Sequence, residues 1–458
     1  MLRRWRTLLL CFVVGFVPAA RADEGVVFVR DAEIEAYVHA LAAPIYRAAD
    51  IDPQSVTIAL IQSNEINAFV AEGLNEFFYT GLLEKTKTPE DLAGIIAHET
   101  GHIAGGHLIR GKEEMKNASA EAIFATLLAV AAGAVSGNTN LALGGIAGGA
   151  QVAERSFLSF SRAQEASADS AALRFLDTAG ISAKGMEAFL KQLAGQELLP
   201  QDRRDAYVRT HPLTQDRIDV VRRHVEASPI RDKKMAAPFY KMHERMKAKL
   251  LGFLHPQVAL LRTTDQDPDP SRRYARAIAL YKTGKADRAL RLIDGLIKEE
   301  PDNPFFYELK GQVSFDNGRM DEALRAYEKA VKLLPSSALL QQALGHVLLE
   351  SADKAHEKDR VDKALVSLIE AARLEPHEPM TWRFLASAWG RKAAWAVDND
   401  YQALATYALA EEAAAQGNAK TAGRLASRAM EGLRRGSPYW LRAQDLKLVS
   451  DRMGKESE

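Results

Sequence analysis

The chain of 458 residues contains a single cysteine, Cys11, which lies in an apolar run close to the N-terminus. With one thiol, the chain can form neither an internal disulfide framework nor a metal site built from cysteine pairs. Any metal ion must therefore be held by histidine and carboxylate side chains, the other ligands that zinc accepts in proteins.

Net charge and long hydrophobic runs are also missing. The 60 basic side chains are balanced by 60 acidic ones, which excludes the strong positive field of a nucleic-acid-binding protein, so we expect no nucleic-acid partner. Each apolar run is shorter than the roughly 20 residues that cross a bilayer. With 47% hydrophobic and 26% charged residues, the composition is that of a globular chain, and its length predicts several domains.

Residues 1–22 have the three-part layout of a cleaved secretory signal. Three arginines within the first six residues precede an apolar run from Leu8 to Val17, and Ala20 and Ala22 supply the small residues of a cleavage site. An uncleaved anchor is the alternative, but this run is too short to span a bilayer. We therefore expect cleavage after Ala22 and export of a mature chain without cysteine. Cleavage would remove four arginines and no acids, which leaves the exported chain mildly acidic.

The next part of the chain predicts an α+β domain. Apolar residues at helical spacing predict a helix over Asp31–Ala49, and the runs Ser55–Ile61 and Glu76–Thr80 predict short strands of a small sheet. A further helix is predicted to begin at Thr88, which is followed by a proline and two acids, and to end at the pair Gly105–Gly106.

The helix that begins at Thr88 carries the sequence HETGH, with His98, Glu99 and His102. Residues four apart share one face of a helix, so the two imidazoles can point at one cation while Glu99 stands beside them. His107 follows nine residues after His98 and would face the opposite side of a continued helix, at a rotation of about 180°. We interpret His107 as a residue of the surface or one that supports a ligand from behind.

A third ligand is available further along, where Glu165 and Asp169 are also four residues apart in a segment with helical propensity. Glu165 can complete a His–His–Glu site, the ligand set that leaves catalytic zinc one open position. Asp169 can accept a hydrogen bond from a ligating imidazole and fix its tautomer. A solvated acidic helix face is the alternative interpretation of this pair.

Between these two segments lies an apolar, glycine- and alanine-rich stretch over residues 122–153, interrupted by a polar break. Each half is too short to cross a membrane. We favour a buried helical hairpin, and the alternative is a flap that makes peripheral contact with lipid or with an apolar substrate.

A polar, proline-bearing linker over residues 263–272 separates the first domain, residues 23–262, from a second domain over residues 273–450. The second domain repeats with the 34-residue period of tetratricopeptide helix pairs. The matched positions are Gly284 and Gly318, Ala289 and Ala323, and Pro301 and Pro335. Stacked helix pairs form a solenoid with a concave surface that binds peptides or proteins. We expect Trp382, Trp389 and Trp395 in its core, because large apolar groups are usually buried.

Three separated segments, HETGH, SRAQEASAD and THPLTQDR, together resemble the zinc metallopeptidases that include the CAAX prenyl endopeptidase and the HtpX membrane peptidase. The resemblance implies a mainly α chain, with an α+β zincin-type metallopeptidase domain followed by an all-α solenoid, and one Zn²⁺ per chain. The implied residues are His98, His102 and Glu165 as ligands, Glu99 as the general base, Asp169 as a support for a ligand, and His211 and Arg217 as further catalytic residues. His211 would either stabilise the oxyanion or occupy the open metal position in a latent state.

The export signal and the repeats together are similar to periplasmic members of this family in Gram-negative bacteria. The resemblance implies a periplasmic endopeptidase that degrades misfolded or assembly-stalled exported proteins. Outer-membrane β-barrel proteins would be its clients, and the repeat domain would contact the β-barrel assembly machinery. The alternative is a chaperone or adaptor for outer-membrane assembly whose metal site is latent or structural. Glu99 favours the peptidase, because a structural site needs no water-activating base.

Overall fold

The computed structural model describes residues 27–71, 74–107, 162–196, 205–352, 357–396 and 400–456. The predicted signal segment 1–22 and the apolar stretch 122–153 lie outside these residues, so the interpretations given for them stay predictions. None of the described helices combines the length and the hydropathy that a membrane span requires.

The described residues before Thr263 form a small sheet and a set of helices. The strands are β1 (Phe28–Val29), β2 (Thr57–Ile61), β3 (Ala68–Ala71) and β4 (Asn75–Tyr79). The helices are α1 (Ala32–Ala48), α2 (Thr80–Lys85), α3 (Pro89–Ala104), α4 (Arg162–Ala179), α5 (Lys184–Leu193), α6 (Ala206–Thr210), α7 (Gln215–Ala227), α8 (Ala237–Leu254) and α9 (Pro256–Arg262). The predicted helix over 31–49 and the two predicted strands are confirmed to within two residues.

The sheet has the order β1-β2-β4-β3, in which β2 and β4 run parallel and the other two pairs run antiparallel. Alternate side chains point to opposite faces of a strand. One face therefore buries Leu60 and Phe78 in the main core, whereas Phe69 and Phe77 stack on the other face with their ring centroids 4.8 Å apart. Among the described strands, β3 lies at an edge of the sheet, and it also lies against α3.

Helix α3 carries the HETGH sequence and begins with a capping box, in which Thr88 and Asp91 satisfy each other's backbone N–H groups. It ends at Ala104, followed by Gly105 and then Gly106 at φ +60°, so both predicted ends are confirmed. Gly101 has a packing role, because a Cβ atom at this position would lie 2.6 Å from the carbonyl oxygen of Ala168. The glycine thus lets α4 approach α3 closely enough for their side chains to meet.

The remaining helices form pairs that stack along the chain. They are α10 (Pro270–Lys282), α11 (Ala286–Glu299), α12 (Pro304–Asp316), α13 (Met320–Leu333), α14 (Ala338–Glu350), α15 (Glu357–Leu374), α16 (Pro379–Ala393), α17 (Asp400–Ala415), α18 (Ala419–Gly432) and α19 (Pro438–Glu456). The first helix of this solenoid begins at Pro270, inside the predicted linker. Gly284, Gly318 and Gly417 have φ of +75°, +72° and +70° and end the first helices of three pairs. Trp382 and Trp389 are buried in the core as predicted, and Trp395 packs against it half-buried.

The solenoid is joined to the first domain by two groups of ion pairs. In the first group, Arg30 follows β1 and contacts Glu35 of α1 at 2.9 Å, Glu375 at 2.7 Å and Glu378 at 2.5 Å. Next to it, Ala32 packs among apolar side chains of α12, α13 and α14. The N-terminal segment of the first domain therefore lies against the early and middle repeats.

In the second group, Lys249 of α8 is the cation for three carboxylates. Its Nζ atom lies 2.8 Å from Asp31, 3.5 Å from Glu33 and 3.5 Å from Glu308 of α12. Tyr274 of α10 donates a hydrogen bond to Glu33 over 2.9 Å. One buried cation among three acids leaves an excess of negative charge, and burial raises the pKa of Glu308 to about 7.

The contact between the two domains should therefore weaken as the pH rises. The pKa of Glu308 is raised on folding, so its contribution to stability is complete below its ordinary pKa of 4.5 and is lost as the pH rises through about 7. Glu308→Gln should reduce the dependence of stability on pH in this range, because the amide does not titrate. Thermal unfolding of both proteins between pH 5 and pH 8 measures the difference.

Glu328→Gln is the matched control, because Glu328 is exposed on the neighbouring helix α13. This variant should keep the pH dependence of the wild type. An unchanged slope in Glu308→Gln would contradict the assignment of the titration to the Lys249 group.

Candidate metal centre

Four buried side chains converge beneath the sheet edge: His98, His102, Glu165 and His211. One ligand atom from each lies within 4.8 Å of the ligand atoms of all the others. His98 and His102 come from α3, Glu165 comes from the first turn of α4, and His211 follows directly after α6. The close packing of α3 on α4 at Gly101 brings Glu165 to the two histidines.

The spacing of these atoms fits a single small cation. The two Nε2 atoms of His98 and His102 are 3.1 Å apart, and each lies 3.3 Å from a carboxylate oxygen of Glu165. Ligand atoms at ~2.0–2.1 Å from a tetrahedral metal lie about 3.3 Å from one another. The three side chains that the sequence predicts as ligands thus lie together, at a spacing that one metal ion could accept.

His211 lies between this set, Glu99 and the sheet edge. Its Nδ1 atom is 3.2 Å from Glu165 Oε1, and its Nε2 atom is 3.6 Å from Glu99 Oε1 and 3.3 Å from the carbonyl oxygen of Ala68 in β3. The ring stacks on Tyr207 at a centroid distance of 4.6 Å. His211 is therefore close enough to the other three ligand atoms to act as a fourth ligand.

Asp169 and Arg217 support the ligands from behind. Asp169 Oδ1 lies 2.9 Å from His98 Nδ1, which leaves His98 Nε2 directed at the ligand set. Arg217 of α7 donates to both oxygens of Asp169, over 2.6 and 2.9 Å, and its Nη1 lies 2.7 Å from Glu165 Oε2. Its remaining hydrogen bond goes to the carbonyl oxygen of Pro212. These contacts are those of a positioning residue, although the sequence placed Arg217 among the catalytic ones.

The surroundings of the site lower the pKa values of Glu165 and Asp169 and raise the pKa of Glu99. Burial opposes ionisation of Glu165, but His211, His102 and His98 hold its pKa well below the usual value. Burial likewise opposes ionisation of Asp169, but His98 and Arg217 lower its pKa. For Glu99, burial prevails and raises the pKa. Neither oxygen of Glu99 has a hydrogen-bond donor within the part of the chain that the structure describes.

Two further side chains adjoin the site: His107, for which the sequence left a supporting role open, and Glu76, which sequence reasoning missed. His107 is buried, with its Nδ1 atom 2.9 Å from His102 Nδ1, so it supports a ligand and does not lie at the surface. Glu76 of β4 lies behind α3, where Tyr46 donates to it over 2.9 Å and Thr100 over 3.5 Å. Burial and the nearby charge of Glu99 raise the pKa of Glu76 well above its usual value. The sequence signal that could have indicated this residue is an acidic side chain within a strand that is otherwise rich in aromatic residues.

Comparison with protein families identifies both parts of the chain. Residues 29–225, which contain the whole site, match the model of peptidase family M48, and residues 274–338 match a tetratricopeptide repeat model. The chain thus combines a region that matches peptidase family M48 with a region that matches tetratricopeptide repeats. The fold class and the family that the sequence predicts are therefore confirmed.

Three relatives are similar to more than half of this chain. A beta-barrel assembly-enhancing protease of Yersinia pestis is 24% identical over 72% of this chain and 66% of its own length. A putative protein of the same name from Vibrio cholerae is 27% identical over 61% of this chain and 58% of its own length. The protein of that name from Escherichia coli K12 is 23% identical over 64% of this chain and 60% of its own length. The chain thus spans between 58% and 66% of the length of these relatives.

Removal of the Arg217 guanidinium should strongly destabilise the M48 domain. Arg217→Met leaves Asp169 and Glu165 buried without their cation, and breaking a buried ion pair in this way costs about 3–5 kcal/mol. Denaturant unfolding of the metal-free protein measures the loss.

Arg222→Met is the matched control, because Arg222 lies on the same helix with 44% of its side chain exposed. Its exposed ion pairs should contribute at most about 1 kcal/mol. Equal losses in the two variants would contradict the role of Arg217 as the buried counter-charge.

Proposed function

We propose that the protein is a zinc-dependent endopeptidase of the periplasm that hydrolyses exported polypeptides. The proposal rests above all on Glu99, a buried carboxylate without a hydrogen-bond donor in the described residues, next to three convergent ligands. It is supported by the match of residues 29–225 to peptidase family M48. A structural metal site has no use for such a base.

In this proposal, His98, His102 and Glu165 hold the zinc ion. Zinc bound there supplies a Lewis acid that polarises the scissile carbonyl and lowers the pKa of water towards ~7. Asp169 Oδ1, 2.9 Å from His98 Nδ1, orients the imidazole so that Nε2 stays available as a ligand. Arg217 keeps Asp169 and Glu165 ionised and in place.

Glu99 is the general base and then the general acid. It accepts a proton from the attacking water while the water oxygen bonds to the carbonyl carbon, and it donates that proton to the leaving amine as the C–N bond breaks. Burial raises the pKa of Glu99, which makes its carboxylate a stronger base than an exposed one. No other carboxylate of the site combines a raised pKa with this position beside the ligands.

The substrate is proposed to bind as an extended segment along β3. This strand is hydrogen-bonded to β4 on one side and forms an edge of the described sheet. Edge strands accept peptides through main-chain hydrogen bonds. The carbonyl of Ala68 lies 3.3 Å from His211 Nε2, so a peptide paired with β3 would pass close to the ligands.

We further propose that the clients are misfolded or assembly-stalled outer-membrane β-barrel proteins and that the solenoid contacts their assembly machinery. The names of the relatives, which describe proteases that enhance β-barrel assembly, support this choice. The predicted export signal supports a periplasmic location. A chaperone or adaptor with a latent metal site is the second candidate, and the position of His211 within the ligand set favours latency.

Glu99→Gln should abolish hydrolysis and keep the metal, because an amide cannot accept the proton from water. Loss of a general base lowers the rate by roughly 10²–10⁴-fold. Cleavage of an assembly-stalled outer-membrane β-barrel protein by the zinc-loaded variant and by the wild type measures the effect. Zinc content is determined in parallel by mass spectrometry.

Two further variants make this result specific. Glu226→Gln changes an exposed carboxylate and should cleave like the wild type. His98→Ala should lose both zinc and cleavage, and full zinc content in that variant would contradict the ligand assignment. Undiminished cleavage by Glu99→Gln would rule out the mechanism, and no cleavage by the wild type would leave the adaptor or a latent enzyme.

His211 is proposed to occupy the open metal position at rest. The alternative role, stabilising the oxyanion, would require its ring to be free to meet a substrate oxygen. At present the Nδ1 atom lies 3.2 Å from Glu165 Oε1 and the ring is stacked on Tyr207. These contacts favour the resting-ligand role, in which His211 must move before a peptide is cleaved.

His211→Ala should therefore increase the cleavage rate of a short unstructured peptide. The expected increase in rate is the inverse of the fraction of wild-type molecules in which His211 is away from the metal position. It is roughly tenfold if that fraction is about one in ten. His224→Ala, a partly exposed histidine of α7, is the control and should leave the rate unchanged. A slower His211→Ala variant with normal zinc content would instead support the oxyanion role.

A further inference from the structure

The last two helices of the described solenoid, α18 and α19, carry an unusual charge pattern. Between Gly417 and Gly436 the sequence contains one acid, Glu431, and five basic residues, although the whole chain is electrically balanced. The basic residues are Lys420, Arg424, Arg428, Arg434 and Arg435, which we call the basic end. All five are exposed.

The arrangement of these cations works against the stability of the helix. Lys420, Arg424 and Arg428 follow one another at four-residue spacing, opposite the buried residues Ala422 and Ala426. Like charges at this spacing lie on one helix face and repel each other. A stripe of this kind is therefore not explained by helix formation alone.

The basic end also lacks counter-charges among the described residues. No described carboxylate forms an ion pair with any of its five members, whereas three nearby solenoid arginines have partners. Arg383 pairs with Glu412, Arg391 with Glu357 and Arg442 with Glu411. The positive charge of the basic end is thus available to an external anion.

Apolar and aromatic side chains adjoin the basic end. The Arg435 guanidinium lies over the Trp440 ring, 6.0 Å from its centroid, and Leu441 follows with 48% of its surface exposed. Leu448, seven residues further along the same helix face, is 50% exposed. A Cβ atom on Gly423 would lie 2.3 Å from the Ser450 side chain, so α18 and α19 are packed closely together. Cations, an aromatic ring and exposed leucines therefore share one end of the solenoid.

We propose that the basic end, with Trp440 and Leu441, is a docking surface for an anionic phospholipid bilayer. Lysine and arginine are attracted to anionic headgroups, and tryptophan side chains favour the level of the headgroups. Exposed leucines can enter the boundary between headgroups and acyl chains. An acidic protein would account for the cations but not for two leucines on the outermost face of α19.

The bilayer would bind this surface peripherally. The described part of α19 is too polar to insert as a span, and no described helix meets the requirements for one. Binding should be reversible and sensitive to salt, because exposed charges are screened over about 8–10 Å at ordinary ionic strength. This surface is distinct from the metal centre, so the proposal does not depend on the peptidase activity.

Co-sedimentation of the exported full chain with vesicles tests the proposal. One set of vesicles contains phosphatidylethanolamine and phosphatidylglycerol, and the other contains phosphatidylethanolamine and phosphatidylcholine, which carry no net charge. The wild type should bind the anionic set only, and added salt should release it. Arg434→Glu with Arg435→Glu should weaken binding by roughly twentyfold or more, because each basic residue near such a surface contributes about fivefold.

Arg291→Glu with Arg325→Glu is the matched control, since it changes the net charge equally at two exposed positions on other solenoid helices. This variant should bind like the wild type, and Leu441→Ser should weaken binding without changing its dependence on salt. Circular dichroism verifies that each variant is folded.

Three results would overturn the proposal. They are equal binding to the uncharged vesicles, equal losses in the two double variants, and no binding of the wild type to the anionic vesicles. Binding of the wild type to a soluble polyglutamate peptide but not to the anionic vesicles would point to an acidic protein as the partner instead.

Discussion

The contact of Arg217 with Asp169 and Glu165 is the interaction on which the metal centre depends. It places one buried cation between two buried carboxylates, and ionised carboxylates remain buried only when they are paired. Asp169 then orients His98, and Glu165 faces both histidines. The positions of the ligands on α3 and α4 are therefore tied to α7, which contributes no ligand of its own.

The parts of the site that sequence could predict are local. His98 and His102, and Glu165 and Asp169, are pairs at four-residue spacing, and helix geometry alone puts each pair on one face. His107 was harder, because its direction depends on the turn after α3. Gly106, at φ +60°, reverses the chain and returns His107 to the ligands, whereas a continued helix would have turned it away.

For the solenoid, too, the sequence predicts local structure but not the contacts between distant parts of the chain. The 34-residue period predicts helix pairs, because each repeat has the same local packing, as at Gly311, which makes room for the Tyr327 ring. The period does not indicate which other parts of the chain the repeats contact. Arg30 pairs with Glu375 across 345 positions of sequence, and no local pattern reports such a contact. The N-terminal segment of the same chain therefore covers part of the solenoid, at positions that the repeat period does not reveal.

The two ends of the solenoid differ in how their charges are compensated, and this difference separates their responses to salt. At the first repeats, Lys249 is almost fully buried among carboxylates of both domains, and buried pairs are little screened. At the last repeats, Arg424 and Arg428 are exposed and form no ion pair with the described residues, and such charges are strongly screened. A rise in ionic strength should thus free the far end from an anionic surface and leave the solenoid attached to the M48 domain. The bilayer contact proposed for α18 and α19 would therefore be reversible under conditions in which the contacts between the two domains persist.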